Sequence, residues 1–226
     1  MEPEPFLEIE KDFCKQFFDE KIQIIKNHRK KLIKISSYQN LIDNQIISNA
    51  IILRMSAFFQ FEDKMKIFLK KHVATPGAYF FQETVGYYLQ LFFDWKKNNF
   101  NVEIEKGIRI TNDQRKIKIL KPDLSVWRDK KLQAIIECKL QLGYSRNEWE
   151  EKYIKKKNVY LSEYPEIKTF FLVFTKENWS GFENHQLEEK EYFTLSKTWP
   201  RSIEEPREIL NPIETLFKKI VENKNY

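Results

Sequence analysis

The stretch "KPDLSVWRDKKLQAIIECKL", residues 121–140, decides the fold and the chemistry together. Two apolar, strand-like runs flank "RDKK", which has the composition of a tight turn. Side chains alternate along a strand, so Glu137 and Lys139 project together while Cys138 points to the opposite face. If the two strands pair across the turn, Asp123 lies opposite Glu137. Two carboxylates and an ammonium on a buried sheet need compensation, because unpaired buried charges are costly. A divalent cation supplies it. Mg²⁺ favours hard oxygen ligands, and the carboxylates of Asp123 and Glu137 with the carbonyl of Cys138 offer three. Lys139 is then placed to orient a water and to stabilise developing negative charge.

Working outward, residues 117–127 read as one strand and 132–142 as the next, with 101–110 ("NVEIEKGIRI") alternating as a strand before them. "TNDQRK" is the expected hairpin turn. Upstream, "ATPGAY" breaks a helical pattern, and Thr75 and Pro76 suit the start of a new helix over 76–98. Glu83, Tyr87, Gln90 and Asp94 form its polar stripe. Downstream, Ser145 and Glu148 have capping-box spacing for a helix over 146–163 that stops before Pro165. "KTFFLVFTK" (168–176) reads as a fully buried strand. Residues 179–210 carry no clear periodicity, and 211–223 reads as a last helix. Residues 6–72 read as helical in several segments, one carrying Leu41, Ile42, Ile46, Ala50 and Leu53 and another Phe58, Met65, Phe68 and Leu69.

Pro122-Asp123 followed by Glu137-Cys138-Lys139 resembles the PD-(D/E)xK motif of a nuclease superfamily that includes many type II restriction endonucleases and Holliday-junction resolvases. The order helix, three strands, helix, strand over 76–176 resembles that family's core. The resemblance implies an α/β (α+β) fold, with an αβββαβ restriction-endonuclease-like core whose mixed central sheet is flanked by helices. It implies that Asp123 and Glu137 hold Mg²⁺, with Mn²⁺ as the expected substitute, and that Lys139 assists the attacking water. Many members carry an acidic residue on the first core helix, which makes Glu83 the matching candidate for catalysis and metal. Gln141 continues the Glu137/Lys139 face and matches a polar residue that touches the site or DNA in some relatives. The implied activity is Mg²⁺-dependent endonucleolytic hydrolysis of double-stranded DNA by a homodimer, first as a type II restriction enzyme. A structure-selective repair nuclease and a non-catalytic nucleic-acid-binding module on the same fold remain open.

The rest of the chain bounds these readings. At 226 residues it can form one sizeable core: a helical region over 1–74 for embracing DNA or dimerising, a nuclease core over 75–178 and an extension over 179–226 packed on it. The net charge of +6 is compatible with a nucleic-acid partner without requiring one. Lys152 and Lys156, with Lys155 and Lys157, crowd the second core helix and are candidates for phosphate contact or for a solvated helix face. The basic run over 26–34 has the same two readings. Two Cys and three His are too few and too scattered for a zinc site, and His185 has no partner at motif spacing. No P-loop is present, and no apolar run reaches the ~20 residues that span a bilayer. The acidic N-terminus lacks a signal-peptide core, so a cytoplasmic location is expected.

Overall fold

Asp129 and Lys130 both take positive φ, 50° and 63°. Two such residues in succession give the primed turn whose twist matches a hairpin. The turn joins β4 (Leu124–Arg128) to β5 (Lys131–Lys139), closed by the Arg128–Lys131 pair, with a bulge between Val126 and Trp127. The structure is a computed structural model describing residues 45–69, 77–111, 117–142, 148–179, 181–199 and 208–222. The readings made for 6–44, for Cys14, Thr75, Pro76 and Ser145, and for most of the "TNDQRK" turn lie outside these residues.

Around this hairpin a five-stranded mixed sheet forms in the order β1-β4-β5-β6-β7, with β1 (Asn101–Ile104), β6 (Lys168–Thr175) and β7 (Tyr192–Ser196). The β1/β4 and β4/β5 pairs are antiparallel, and the β5/β6 and β6/β7 pairs are parallel. A separate two-stranded ribbon pairs β2 (Ile108–Thr111) with β3 (Ile117–Leu120). Among the described residues there are four helices: α1 (Ile46–Leu69), α2 (Gly77–Trp95), α3 (Trp149–Glu163) and α4 (Ile213–Val221). The protein is therefore a mixed α/β chain. No helix among the described residues is long and apolar enough to cross a membrane.

Strand alternation divides the core. Leu124, Val126, Ala134, Ile136, Cys138, Phe170, Leu172 and Phe174 face α1, α2 and α4, where Ile47, Phe81, Phe92 and Phe217 are fully buried. Each such side chain contributes roughly 1.5–3 kcal/mol of transfer free energy. On the other face, Phe171 and Val173 pack on Tyr153, Trp179 and Phe182. Ile135 and Leu132 pack on Tyr160 of α3 and on Ile108 and Ile110 of the ribbon.

Five expectations change. The strand expected over 101–110 is two strands, split at Glu105 (φ 47°) and Gly107. The strand over 117–127 is likewise two, because Pro122 has no N–H for the ladder. β2 and β3 thereby leave the main sheet. The helical segments read from Leu41 and from Phe58 are, within the described residues, one continuous helix, α1. Helix α3 begins at Trp149, and the Glu148 side chain takes Lys152 at 2.7 Å instead of capping. β7 falls within the stretch that showed no clear periodicity.

Two contacts lock helices to this frame. A Cβ on Gly86 of α2 would lie 3.1 Å from Leu124 Cδ2, so the bare Cα sets how closely α2 approaches β4. Gly86→Val is expected to cost about 1–3 kcal/mol through overpacking, read as a lowered melting temperature. On the far side, Glu214 of α4 is buried against the first turn of α1. Its Oε1 accepts the Ile47 and Ser48 N–H groups at 2.6 and 3.0 Å, and its Oε2 accepts the Ser48 hydroxyl at 2.5 Å. Ser48 Oγ in return accepts the Ile213 N–H at 2.9 Å. Each helix start thus caps the other, satisfying N–H groups that have no partner within their own helices.

Candidate active site

Asp123 stands one position before β4, and the Leu124–Ile136 pair sets it across from Glu137 of β5. Its carbonyl accepts the Gln82 side-chain amide of α2 at 3.0 Å and the Glu105 N–H at 3.1 Å, which pins the backbone. Its carboxylate Oδ2 accepts the Cys138 N–H at 2.7 Å and lies 3.7 Å from the Lys139 ammonium. In an extended strand the N–H and C=O of one residue leave on the same edge. The Cys138 carbonyl therefore emerges on Asp123's side, beyond the last β4–β5 pair.

Glu137 is buried at 5% exposure, although its neighbour Lys139 is exposed. The Lys156 ammonium of α3 lies 2.6 Å from its Oε1 and 2.7 Å from its Oε2. The angles make a hydrogen bond only at Oε2, so Oε1 is buried beside a charge but without a directed donor. Burial pushes the Glu137 carboxyl above its ordinary range, and the Asp123 charge adds to this. Lys156 and Lys139 pull it back. A carboxyl shifted by desolvation and by a like-charged neighbour, at the edge of a cleft, marks a candidate site. Burial, then the same two carboxylates, also push up the hydroxyl of Tyr160, which is buried without a hydrogen-bond partner.

A cleft of ≈ 340 Å³ opens over Glu137 and Lys139, with Asp123 outside its lining. Glu137, Lys139, Gln141, Lys152 and Lys156 supply its polar wall, and Trp149, Tyr153 and Phe171 its apolar floor. Five of the residues singled out from the sequence thus share one depression. Cys138 turns its thiol into the core, where burial holds it well above the usual range. Only its backbone faces the site.

The remaining candidates are placed otherwise. Glu83 lies on the α2 stripe between exposed Tyr79 and Tyr87, half-buried, while its neighbour Gln82 reaches Asp123. No group of three or more His, Cys, Asp or Glu side chains able to hold a metal forms among the described residues, so Glu83 does not complete a three-carboxylate set. Lys156 is turned inward onto Glu137, and Lys152 is paired with Glu148. Sequence reasoning missed Gln82, Tyr160 and the inward role of Lys156. The last had a signal: Tyr153, Lys156 and Tyr160 recur at helical spacing, so they share a face.

The residues present fit Mg²⁺. Glu137 Oε1 is a buried oxygen whose close partner is the Lys156 ammonium at 2.6 Å, and Asp123 and the Cys138 backbone lie across from Glu137 at the end of the β4–β5 pairing. Mg²⁺ commonly takes one or two carboxylates and completes its shell with water and phosphate oxygens. The donor set suits that sparse pattern and does not suit a closed all-protein cage.

Fold and site together define a mixed α/β protein whose central sheet brings Glu137 and Lys139 to a cleft, with Asp123 set across from Glu137. No family model matches the chain, and no curated protein or solved structure matches it.

Proposed function

We propose that this chain is a Mg²⁺-dependent DNA endonuclease of the PD-(D/E)xK type, acting first as a restriction enzyme and as a homodimer that cuts both strands. The observation that carries the reading is Glu137: a buried carboxylate in a cleft, balanced by Lys156 and set across from a second carboxylate, Asp123, and beside Lys139. A structural ion pair explains Lys156 but not the opposed Asp123. In this reading Asp123, Glu137 and the Cys138 carbonyl hold the ion. When bound, Mg²⁺ lowers the pKa of a coordinated water and offsets charge on the phosphodiester. The Lys139 ammonium, half-exposed at the rim, orients the attacking water and donates to the phosphate oxygens as their charge grows. Lys156 balances the Glu137 charge until the ion is in place.

The test is incubation with plasmid and branched DNA plus Mg²⁺, with sequencing of the ends. Defined ends on linear or plasmid duplex support the restriction reading. Cutting confined to branched DNA moves the activity to structure-selective repair, and no metal-dependent cutting rejects the nuclease. Asp123→Asn is expected to lose several kcal/mol of transition-state stabilisation, a fall of more than about a hundredfold in kcat. Titration calorimetry should show weaker Mn²⁺ binding in the same variant.

A further inference from the structure

Apart from the site, the most conspicuous surface is the outer face of the β2–β3 ribbon. Cross-strand pairs Arg109–Ile119 and Thr111–Ile117 put four side chains on that face, and all are exposed. Ile117 is 67% exposed and Ile119 61%, the two most exposed large apolar side chains among the described residues. The inner face is anchored. Ile108 and Ile110 are buried against Tyr160 and Ile167, the Thr111 N–H donates to Glu163 at 3.1 Å, and the Tyr164 hydroxyl donates to the Arg109 carbonyl at 3.4 Å. Ile119 sits over Gly107, where a Cβ would come within 2.9 Å of its Cγ2. The ribbon is therefore a supported platform.

Charge distinguishes this face from α3. All four lysines of α3 have acidic partners: Lys152 with Glu148, Lys155 with Glu151, Lys156 with Glu137 and Lys157 with Glu191. Arg109, Lys118 and Lys121 are exposed and have no ion pair among the described residues. The free positive charge near the site thus lies on and beside the ribbon.

Resting on the nuclease reading, we infer that this ribbon is the element that reads DNA, its outer face entering the major groove beside the cleft. A two-stranded ribbon fits that groove. Arg109 matches the paired acceptors of guanine, Thr111 can bond either kind of base edge, and Ile117 and Ile119 match the methyl of thymine. Lys121, just past the end of β3, takes a flanking phosphate, whereas Lys118 pairs with Ile110 on the anchored face. Position sharpens the inference. β3 runs through Lys121 and Pro122 directly to Asp123, six residues after Ile117. Six residues span at most about 20 Å, or roughly six base pairs at 3.4 Å each. The cut therefore falls within about six base pairs of the bases the ribbon reads.

The test uses the full chain without Mg²⁺ and a fluorescent duplex of randomised sequence, followed by sequencing of the bound fraction. Lys121→Ala should weaken binding to all sequences alike and reduce the slope of log K against log salt by about 0.9, for one lost phosphate contact. Arg109→Ala should lose about 5- to 150-fold discrimination at one position. Ile117→Ser/Ile119→Ser should keep the salt slope and broaden the bound sequences. If the wild type binds and cuts while these variants keep its affinity, slope and preference, the ribbon assignment falls and the nuclease stands. If the wild type binds no duplex, the ribbon assignment falls, and the nuclease falls with it only if no DNA is cut with Mg²⁺. If Ile117→Ser/Ile119→Ser turns a dimer into a monomer in sedimentation, the face is a subunit interface and the assignment is overturned.

Discussion

Lys139→Ala is expected to cut strand cleavage by at least about 10²–10³-fold while leaving the fold and duplex binding in place. The separation follows from where Lys139 sits. Its side chain is 49% exposed, and its contact with Asp123 is a loose 3.7 Å. A pair so exposed contributes about 0–1 kcal/mol, so the melting temperature should hardly move. Asp123 keeps its place without it, through the Cys138 N–H on its carboxylate and two donors on its carbonyl. What the variant loses is a cation at the point where negative charge develops. The loss should therefore appear in kcat with KM nearly unchanged. Lys139→Arg restores the charge but replaces a compact ammonium with a planar fork, and should recover only part of the rate. Lys139→Ala cutting at the wild-type rate would remove Lys139 from the mechanism.

The site was more legible in the sequence than the fold around it, for a physical reason. A strand's period of two is rigid, so "IIECK" fixes that Glu137 and Lys139 share a face and that Cys138 faces the core. A turn of known length then sets the partner, and the Asp129–Lys130 turn brings Asp123 across as the register requires. The breaks within 101–110 and 117–127 were hidden because alternation stays in phase across them. Val102, Ile104, Ile108 and Ile110 are all even-numbered, yet the first two belong to the main sheet and the last two to the ribbon. Pro122 signalled the second break and was read only as part of a motif. β7 needed tertiary information, since "YFTLS" is five residues long and sits in polar chain that gives no period. From the sequence Lys156 reads as a phosphate contact or as part of a solvated helix face, because a lysine-rich helix looks solvated in one dimension. The pairing that turns it inward, to a residue on another element, exists only in three.

The largest stability effect is expected at Glu214. Glu214→Ala removes the acceptor of the Ile47 and Ser48 N–H groups and of the Ser48 hydroxyl at one stroke, all in the dry core. Stranding buried donors costs about 1–3 kcal/mol each. Three donors are stranded, so the expected total is at least about 3 kcal/mol. At about 2–4 °C per kcal/mol for a chain of this size, the melting temperature falls on the order of 10 °C. The contact lies on the sheet face opposite the cleft, so the folded fraction should keep its specific activity and its metal affinity. Glu214→Gln separates charge from shape. Burial raises the Glu214 carboxyl above its ordinary value of 4.5, and its hydrogen bonds with Ser48 and Ile47 offset that only in part. Protons are then held more tightly in the folded chain than in the unfolded one, so this group stabilises most in acid and less as pH rises through its folded value. The glutamine variant lacks that titration. Its stability relative to the wild type should improve as pH increases from about 4.5, and chemical denaturation across that range reads the slope. A relative stability that falls with pH would mean that the two helix starts, converging on one carboxylate, favour the charged form more than burial opposes it.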